Sequence, residues 1–352
     1  MKTLKLVPQK TNLQFIPKRF IAYVISAVLA VASLGLFFTQ GLNYGIDFRG
    51  GIVLEVRTEM PPSVEELRAE MGQLGLGDVS IQQLGGADEG TDGYDVFIRV
   101  ETQPGGDEAQ EIAKDKVKAR LTDLYGTPFD LKPSILFDDL TTPEKNEMVG
   151  SSIHYVSEGK VYTGFSVRRE EVVGPKVSGE LIEDGTMAVG FAILAVLFYI
   201  WMRFEWQFGV GAVVALVHDV LLTIGFFSIT QLEFNLSIIA AILTIVGYSL
   251  NDTVVVYDRV RENLRRYRKI PLPELFNTCI NETLSRTVMT SVTTLLALFA
   301  LYFLGGSVIQ GFTAAMIWGI FIGTYSSVFI AVPFLLLLNL RREDMVPAED
   351  EE

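Results

Sequence analysis

Apolar residues in this chain are gathered into blocks. The first, "FIAYVISAVLAVASLGLFFTQ", covers Phe20–Gln40. As a helix it is long enough to cross a hydrocarbon core about 30 Å thick. Residues 41–185 are mostly polar, and five more apolar blocks follow at about Thr186–Met202, Phe208–Thr230, Leu236–Tyr257, Thr287–Leu304 and Val308–Leu338. The pattern predicts six membrane-spanning helices, the last kinked or begun late because it contains Pro333. The first block follows Lys10, Lys18 and Arg19, and Ala30-Val31-Ala32 offers a small-residue cleavage site. It nevertheless continues through Leu36, Phe37 and Phe38, beyond a typical signal-peptide core, so it reads as an uncleaved anchor.

Periods change in the polar stretch. "GIVLEVRT" (Gly51–Thr58), "DVSIQQLG" and "YDVFIRVET" read as strands, and a last strand is expected in "KVYTGFSVRREEVV". "SVEELRAEMGQLG" reads as a helix, with Ser63 as N-cap and Glu66 completing a capping box. A second helix is expected from about Asp107 to Tyr125, with Ile112, Val117, Leu121 and Leu124 on its apolar side. Strand–helix–strand twice over is the ferredoxin-like α+β arrangement. Residues 129–160, rich in Asp, Pro and Ser, read as an insertion or long loop.

Charge then orients the spans. Lys2, Lys5, Lys10, Lys18 and Arg19 precede the first block. Arg259, Arg261, Arg265, Arg266, Arg268 and Lys269 lie between the fourth and fifth, and Arg341 and Arg342 follow the sixth. Six spans put all three groups on one side, which the positive-inside rule makes cytoplasmic. That gives a cytoplasmic N-terminus (1–19), a first span at 20–40, an external domain at 41–185, five spans within 186–340 and an acidic cytoplasmic tail (341–352).

The net charge of −13 speaks against a nucleic-acid partner. One cysteine, Cys279, and two histidines, His154 and His218, leave no disulfide framework and no metal centre. The glycine pairs lack the flanking pattern of a phosphate cradle, so nothing suggests an ATPase or another enzyme. No cofactor is expected.

Polar residues inside the blocks carry the chemistry. Asp252, beside Asn251, lies more than about 20 Å from the Leu236 end of its helix, and the basic end at Arg259 is about 10 Å further on. A carboxylate at that depth is expensive, and by default marks a functional site. Asp219 in "VHDV" lies about 16 Å in from Phe208, also with no reach to the interface. Its neighbour His218 is expected to point elsewhere, as a satisfied interior histidine and not a dyad partner. Thr283, Arg286, Thr287, Thr290, Ser291 and Thr294 form a polar stripe that should face the bundle interior or water. Arg286 reads either as a snorkelling anchor or as the partner of Asp252. Gly311, Ala315, Gly319, Gly323 and Ser327 recur every four residues, a small-residue line suited to close helix packing within the chain or against another subunit.

Together these motifs resemble the SecF family of the bacterial Sec protein-export machinery. "NYGIDFRGG" (Asn43–Gly51), "VVGPKVSGEL" (Val172–Leu181), "VHDV", "GYSLNDTVVVYDRVREN" and "SRTVMTS" (Ser285–Ser291) carry the likeness in consistent order. The resemblance implies a six-span half of a resistance-nodulation-division (RND) type membrane fold, completed by a SecD-like subunit. Implied associates are the SecYEG channel, the SecA motor, a YajC-like small subunit, unfolded preproteins in transit and membrane lipids. It implies that proton-motive force is used to promote export across the inner membrane. It also implies that Asp252 and Arg286 serve proton transport, and Asp219 and Asn251 join them as candidates for that role from their own positions in the spans. Gly45, Asp47, Gly50, Gly51, Gly174 and Pro175 would then lie at junctions coupling the bundle to the external domain.

Burial and a neighbouring arginine act in opposite senses on a carboxyl group, so their balance can suit it to proton exchange. A carboxylate with Asn and Ser neighbours would serve sodium as well. The glycines fit hinges, and fit ordinary turns equally. Half of an RND-type small-molecule or lipid exporter, and a passive translocon scaffold, are the competing readings.

Overall fold

The computed structural model describes residues 11–58, 62–84, 94–126, 147–149, 152–157, 160–162, 165–305, 307–338 and 340. In chain order, a 3₁₀ turn (Ile16–Lys18) leads into α1 (Arg19–Gln40), followed by the single turn α2 (Ile46–Arg49). Then come β1 (Gly51–Thr58), α3 (Val64–Gly72), β2 (Val79–Leu84), β3 (Tyr94–Val100) and α4 (Asp107–Tyr125). Four strands follow: β4 (Glu147–Val149), β5 (Ser152–Ser157), β6 (Lys160–Tyr162) and β7 (Phe165–Val173). The rest is helical: α5 (Pro175–Arg203), α6 (Trp206–Thr230), α7 (Leu236–Arg266), α8 (Leu272–Leu304) and α9 (Ser307–Ser326), with a π-helical turn (Ser327–Ala331) before α10 (Val332–Leu337). The chain divides into two compact units, one of Met1–Asn43 with Gly185–Glu352 and one of Tyr44–Asp184.

In the second unit β1 pairs antiparallel with β3 and β7, and β3 with β2, giving the order β2-β3-β1-β7. With α3 after β1 and α4 after β3, this is the ferredoxin-like βαββαβ path. Ile52, Leu54 and Val56 of β1 alternate into a core with Ile81, Ile98, Leu67, Val117 and Leu121. Ser63 caps α3, its hydroxyl accepting the Glu66 N–H at 3.2 Å. The apolar stripe of α4 differs from expectation. Ala113, Val117 and Leu121 are buried at i, i+4 spacing, whereas Ile112 falls on the outer side and is 52% exposed. The single strand expected in "KVYTGFSVRREEVV" is two, β6 and β7. β4 and β5 fall within the expected insertion and form a three-stranded antiparallel sheet with β6, and residues 129–146 lie outside the described ones.

The first unit is helical, and six of its helices are long and apolar enough to cross a membrane. α6, α7 and α9 form the centre. Over half of the most apolar stretch of α6 is buried, but only 6% of that of α5. Large apolar side chains such as Phe191 and Trp201 accordingly stand outside, as a lipid-facing surface requires.

Three helices outrun their apolar blocks. α5 starts at Pro175, a residue preorganised for a first turn. α7 and α8 continue past the apolar stretch because Tyr257, Val260 and Leu264 repeat at helical spacing and pack with Leu275, Phe276, Cys279 and Ile280. Around Pro333 the last span opens into the π turn and restarts as α10. Proline donates no backbone hydrogen bond and crowds the preceding turn, a conflict that a wider turn relieves.

Candidate functional site

Asp219 sits at the centre of the helical unit, fully buried on α6. Its Oδ2 accepts hydrogen bonds from Ser249 of α7 at 2.6 Å and Ser326 of α9 at 2.8 Å. Its Oδ1 lies 3.0 Å from Nδ1 of His218. The expectation that adjacent residues could not pair is therefore corrected. The backbone directions do diverge, but the imidazole is long enough to turn back round the helix onto the neighbouring carboxylate. Three helices and two carboxylate oxygens make a saturated knot. Next to it, Thr253 and Ser327 share a hydrogen bond at 3.0 Å, and Tyr257 donates to the carbonyl of Ala331, the last residue of the π turn, at 3.0 Å.

Asp252 presents the opposite case. It is 3% exposed, and its Oδ2 is buried with no hydrogen-bond partner among the described residues. Arg286 is near enough for its charge to act on this carboxyl. No ion pair within 4.0 Å joins the two among the described residues. Asn251 and Arg286 both lie on the exposed side of their helices. The structure therefore brings Asp252 and Arg286 to one region without contact, and leaves Asn251 facing outward.

The stripe on α8 is split by its helix. Thr283, Thr287 and Ser291 are buried, and Ser291 shares a 2.8 Å hydrogen bond with Thr324 of α9. Thr290 and Thr294 turn their hydroxyls back to carbonyls of their own helix. On α9 the small-residue line faces α7. A Cβ on Gly319 would run into Ile245, one on Gly323 would meet Ser249 at 3.0 Å, and one on Gly311 would make ordinary contact with Ile238 at 3.6 Å. Ala315 in the same line is fully buried.

The junction glycines are close-packed. Gly50 has φ +68°, and a Cβ there would lie 2.6 Å from the Thr102 hydroxyl and 3.2 Å from the Val173 carbonyl. Gly51 has φ +114°, with the Val100 carbonyl against it. Only glycine fits these two positions without strain. A Cβ on Gly174 would overlap the Asp107 carboxylate. Gly45 caps α2, Asp47 lies in its first turn, and Pro175 opens α5. Within this unit the two junction motifs meet at Gly50, whose surroundings include the Ser178 hydroxyl at 3.4 Å.

Sequence reasoning missed Ser249, Ser326 and Thr253, because lone hydroxyls in apolar helices usually satisfy themselves on their own backbone. It also missed Asn277 and Asn281 on α8. Their side chains hold residues 11–16 as a strand edge would: both donate to the Leu13 carbonyl at 2.9 Å, and they accept from Leu13 N and Phe15 N at 2.8 Å. Their four-residue spacing was the available signal.

Six apolar helices and an inserted ferredoxin-like unit define a multi-pass membrane protein. Its sequence matches the family model "Protein export membrane protein SecD/SecF, C-terminal" over residues 156–341 and the "SecD/SecF GG Motif" over residues 35–62. Protein translocase subunit SecF of Rhodobacter capsulatus is 42% identical over 339 residues, 96% of this chain and 92% of that one. That of Rickettsia bellii is 42% identical over 335 residues, 95% of this chain and 96% of its own. The crystal structure of SecDF, a translocon-associated membrane protein from Thermus thermophilus, superposes with a TM-score of 0.74 at 33% identity. It covers 96% of this chain, which spans 40% of that longer one. The chain belongs to the SecD/SecF family, and its close relatives here are SecF subunits.

Proposed function

We propose that this chain is an accessory subunit of the Sec translocase that works with a SecD-like partner, using proton-motive force to draw exported protein outward across the bacterial inner membrane. The observation that carries the reading is the unsatisfied Oδ2 of buried Asp252. Buried polar atoms kept for structure are almost always hydrogen-bonded, as Asp219 is. A carboxyl left open, within the field of Arg286 but not bonded to it, can gain or lose a proton without breaking a packed network. One charge moved through the field is worth roughly 2.3 kcal/mol per 100 mV. A bundle that changes shape with that proton would act on the external unit through Asn43–Gly51 and Val172–Leu181, where the chain passes between units.

In this reading both termini are cytoplasmic and residues 41–185 lie outside, as the basic clusters direct. The subunit serves the SecYEG channel and the SecA motor, with a YajC-like small subunit as a further associate, and carries out no catalytic step of its own. A passive scaffold would give the open Asp252 oxygen no role. The test is preprotein export into inverted membrane vesicles with and without a proton gradient. Asp252→Asn, equal in amount and assembly, is expected to lose the gradient-dependent part. Full stimulation in that variant would sink the reading.

A further inference from the structure

Among the described residues, two carboxyl groups are buried in the helical unit, Asp252 and Asp219, and only Asp252 carries the function proposed above. The second, Asp219, belongs to a group whose other member is incomplete. Asp219 accepts from Ser249 and Ser326 on one oxygen and meets His218 Nδ1 on the other. Both hydroxyls donate, so the simplest assignment is a carboxylate that also receives the Nδ1 proton. That fixes the imidazole tautomer and leaves Nε2 as a bare lone pair. His218 is 7% exposed, and its Nε2 is buried with no hydrogen-bond partner among the described residues. A histidine kept only for packing would have that atom bonded.

We propose that His218 and Asp219 form a second proton-binding site, in which Nε2 takes the proton and Asp219, clamped by Ser249 and Ser326, is the positioning residue. The step forms one N–H bond and breaks none between heavy atoms. The pair passes from a single net negative charge to neutrality. The titratable neighbours in this stretch of the bundle are few. α9 contributes Tyr325, whose ring centroid is 6.1 Å from that of His218. Its hydroxyl bonds to Ser26 and to the Ala22 carbonyl of α1. α1 carries Tyr23, and α7 carries Asp252, one turn beyond Ser249, and Tyr257. The proposal rests on the proton-coupled reading for its purpose, but its chemistry can be tested separately.

The sequence holds only two histidines, so His154→Gln leaves His218 as the sole imidazole. The full chain carrying that change and ¹⁵N-histidine, reconstituted in lipid bilayers, is followed by NMR as pH falls. A bare Nε2 at high pH that becomes protonated on acidification, with a transition moved by Asp219→Asn, is the expected result. An Nε2 that is protonated, or bare, at every pH overturns the site. In vesicles with the SecD-like partner, His218→Gln is expected to lose most gradient-dependent export and to shift the pH profile of what remains. If it keeps both while Asp252→Asn loses stimulation, the site is not on the proton path. If Asp252→Asn keeps stimulation, the proton-coupled reading fails, and the NMR transition alone decides whether His218 binds a proton.

Discussion

Ser249 of α7 donates its hydroxyl to Asp219 of α6 at 2.6 Å, one helical turn before Asp252 on the same helix. The satisfied and the unsatisfied carboxyl groups thus share a wall. Ser249→Ala removes one of two hydroxyl donors to Oδ2, leaving Ser326 as the other, and is expected to cost about 1.5–3 kcal/mol, the usual worth of a hydrogen bond to a charged group. Alanine is the informative change, because Gly323 faces Ser249 too closely for a larger side chain. Thermal unfolding of the full chain in detergent checks it. A melting temperature equal to that of the wild type would mean the knot is not a structural anchor.

The small-residue line gives a graded prediction. Gly311→Ala adds a methyl where Ile238 stands at 3.6 Å, an ordinary contact, and is expected to be tolerated. Gly319→Leu forces a large side chain into Ile245 and should cost about 1–3 kcal/mol or more through overpacking. Stability and co-purification with a SecD-like protein report the difference. Equal behaviour of the two variants would remove the line from the packing argument.

Orientation needs a better reporter than the native thiol. Cys279 is fully buried against Asn263, so an impermeant reagent would leave it unmodified from either side. In a Cys279→Ser background, Lys269→Cys in the exposed α7–α8 turn should label only in broken membranes. Gln73→Cys, exposed in the sheet unit, should label in intact spheroplasts. The reverse pattern would invert the topology.

How far the sequence could be read depended on range. The spans, the strands β1, β2, β3 and β7 and the Ser63 cap follow from local patterns, so they were legible, whereas β4 and β5 were not. The reach of α7 and α8 beyond their apolar blocks was not. Hydropathy marks where lipid is, whereas those ends are held by Tyr257 and Val260 against Phe276 and Ile280. Asp252 and Asp219 stood out as buried charges in sequence. Their opposite states did not, because the difference lies in Ser249 and Ser326, brought to Asp219 from two other helices.

A pH test bears on the sheet unit. Burial works against the charge on Glu170, but hydrogen bonds and attraction from Lys118 and Lys114 outweigh it and hold the carboxyl below its ordinary range. Lys118 lies 2.5 Å away and Lys114 3.2 Å, tying α4 to β7. A carboxyl depressed on folding adds stability above its unfolded pKa of about 4.3, and loses it as pH falls through the lower folded value. Glu170→Gln should therefore lower the unfolding temperature of this unit at pH 7 and make little difference at pH 2. An equal effect at both pH values would assign the loss to packing.

The sharpest prediction concerns how Arg286 acts on Asp252. Asp252 stands fourteen residues before Arg266, where α7 ends, and Arg286 fourteen after Leu272, where α8 begins. At 1.5 Å per residue both lie about 21 Å from the turn between the two helices. Equal depth without contact means the arginine contributes charge and not a hydrogen bond. Arg286→Lys keeps a cation on a flexible stem and loses only the planar fork, which matters where bidentate contact exists. It should retain most gradient-stimulated export, whereas Arg286→Met should lose it as Asp252→Asn does. The double variant Asp252→Asn, Arg286→Met should be no worse than either single change, because the two groups act as one unit. Translocation into vesicles holding equal amounts of each variant makes the measurement. If Arg286→Lys is as inactive as Arg286→Met, the guanidinium must reach Asp252 directly in some working state, and the charge-only account of this pair is wrong.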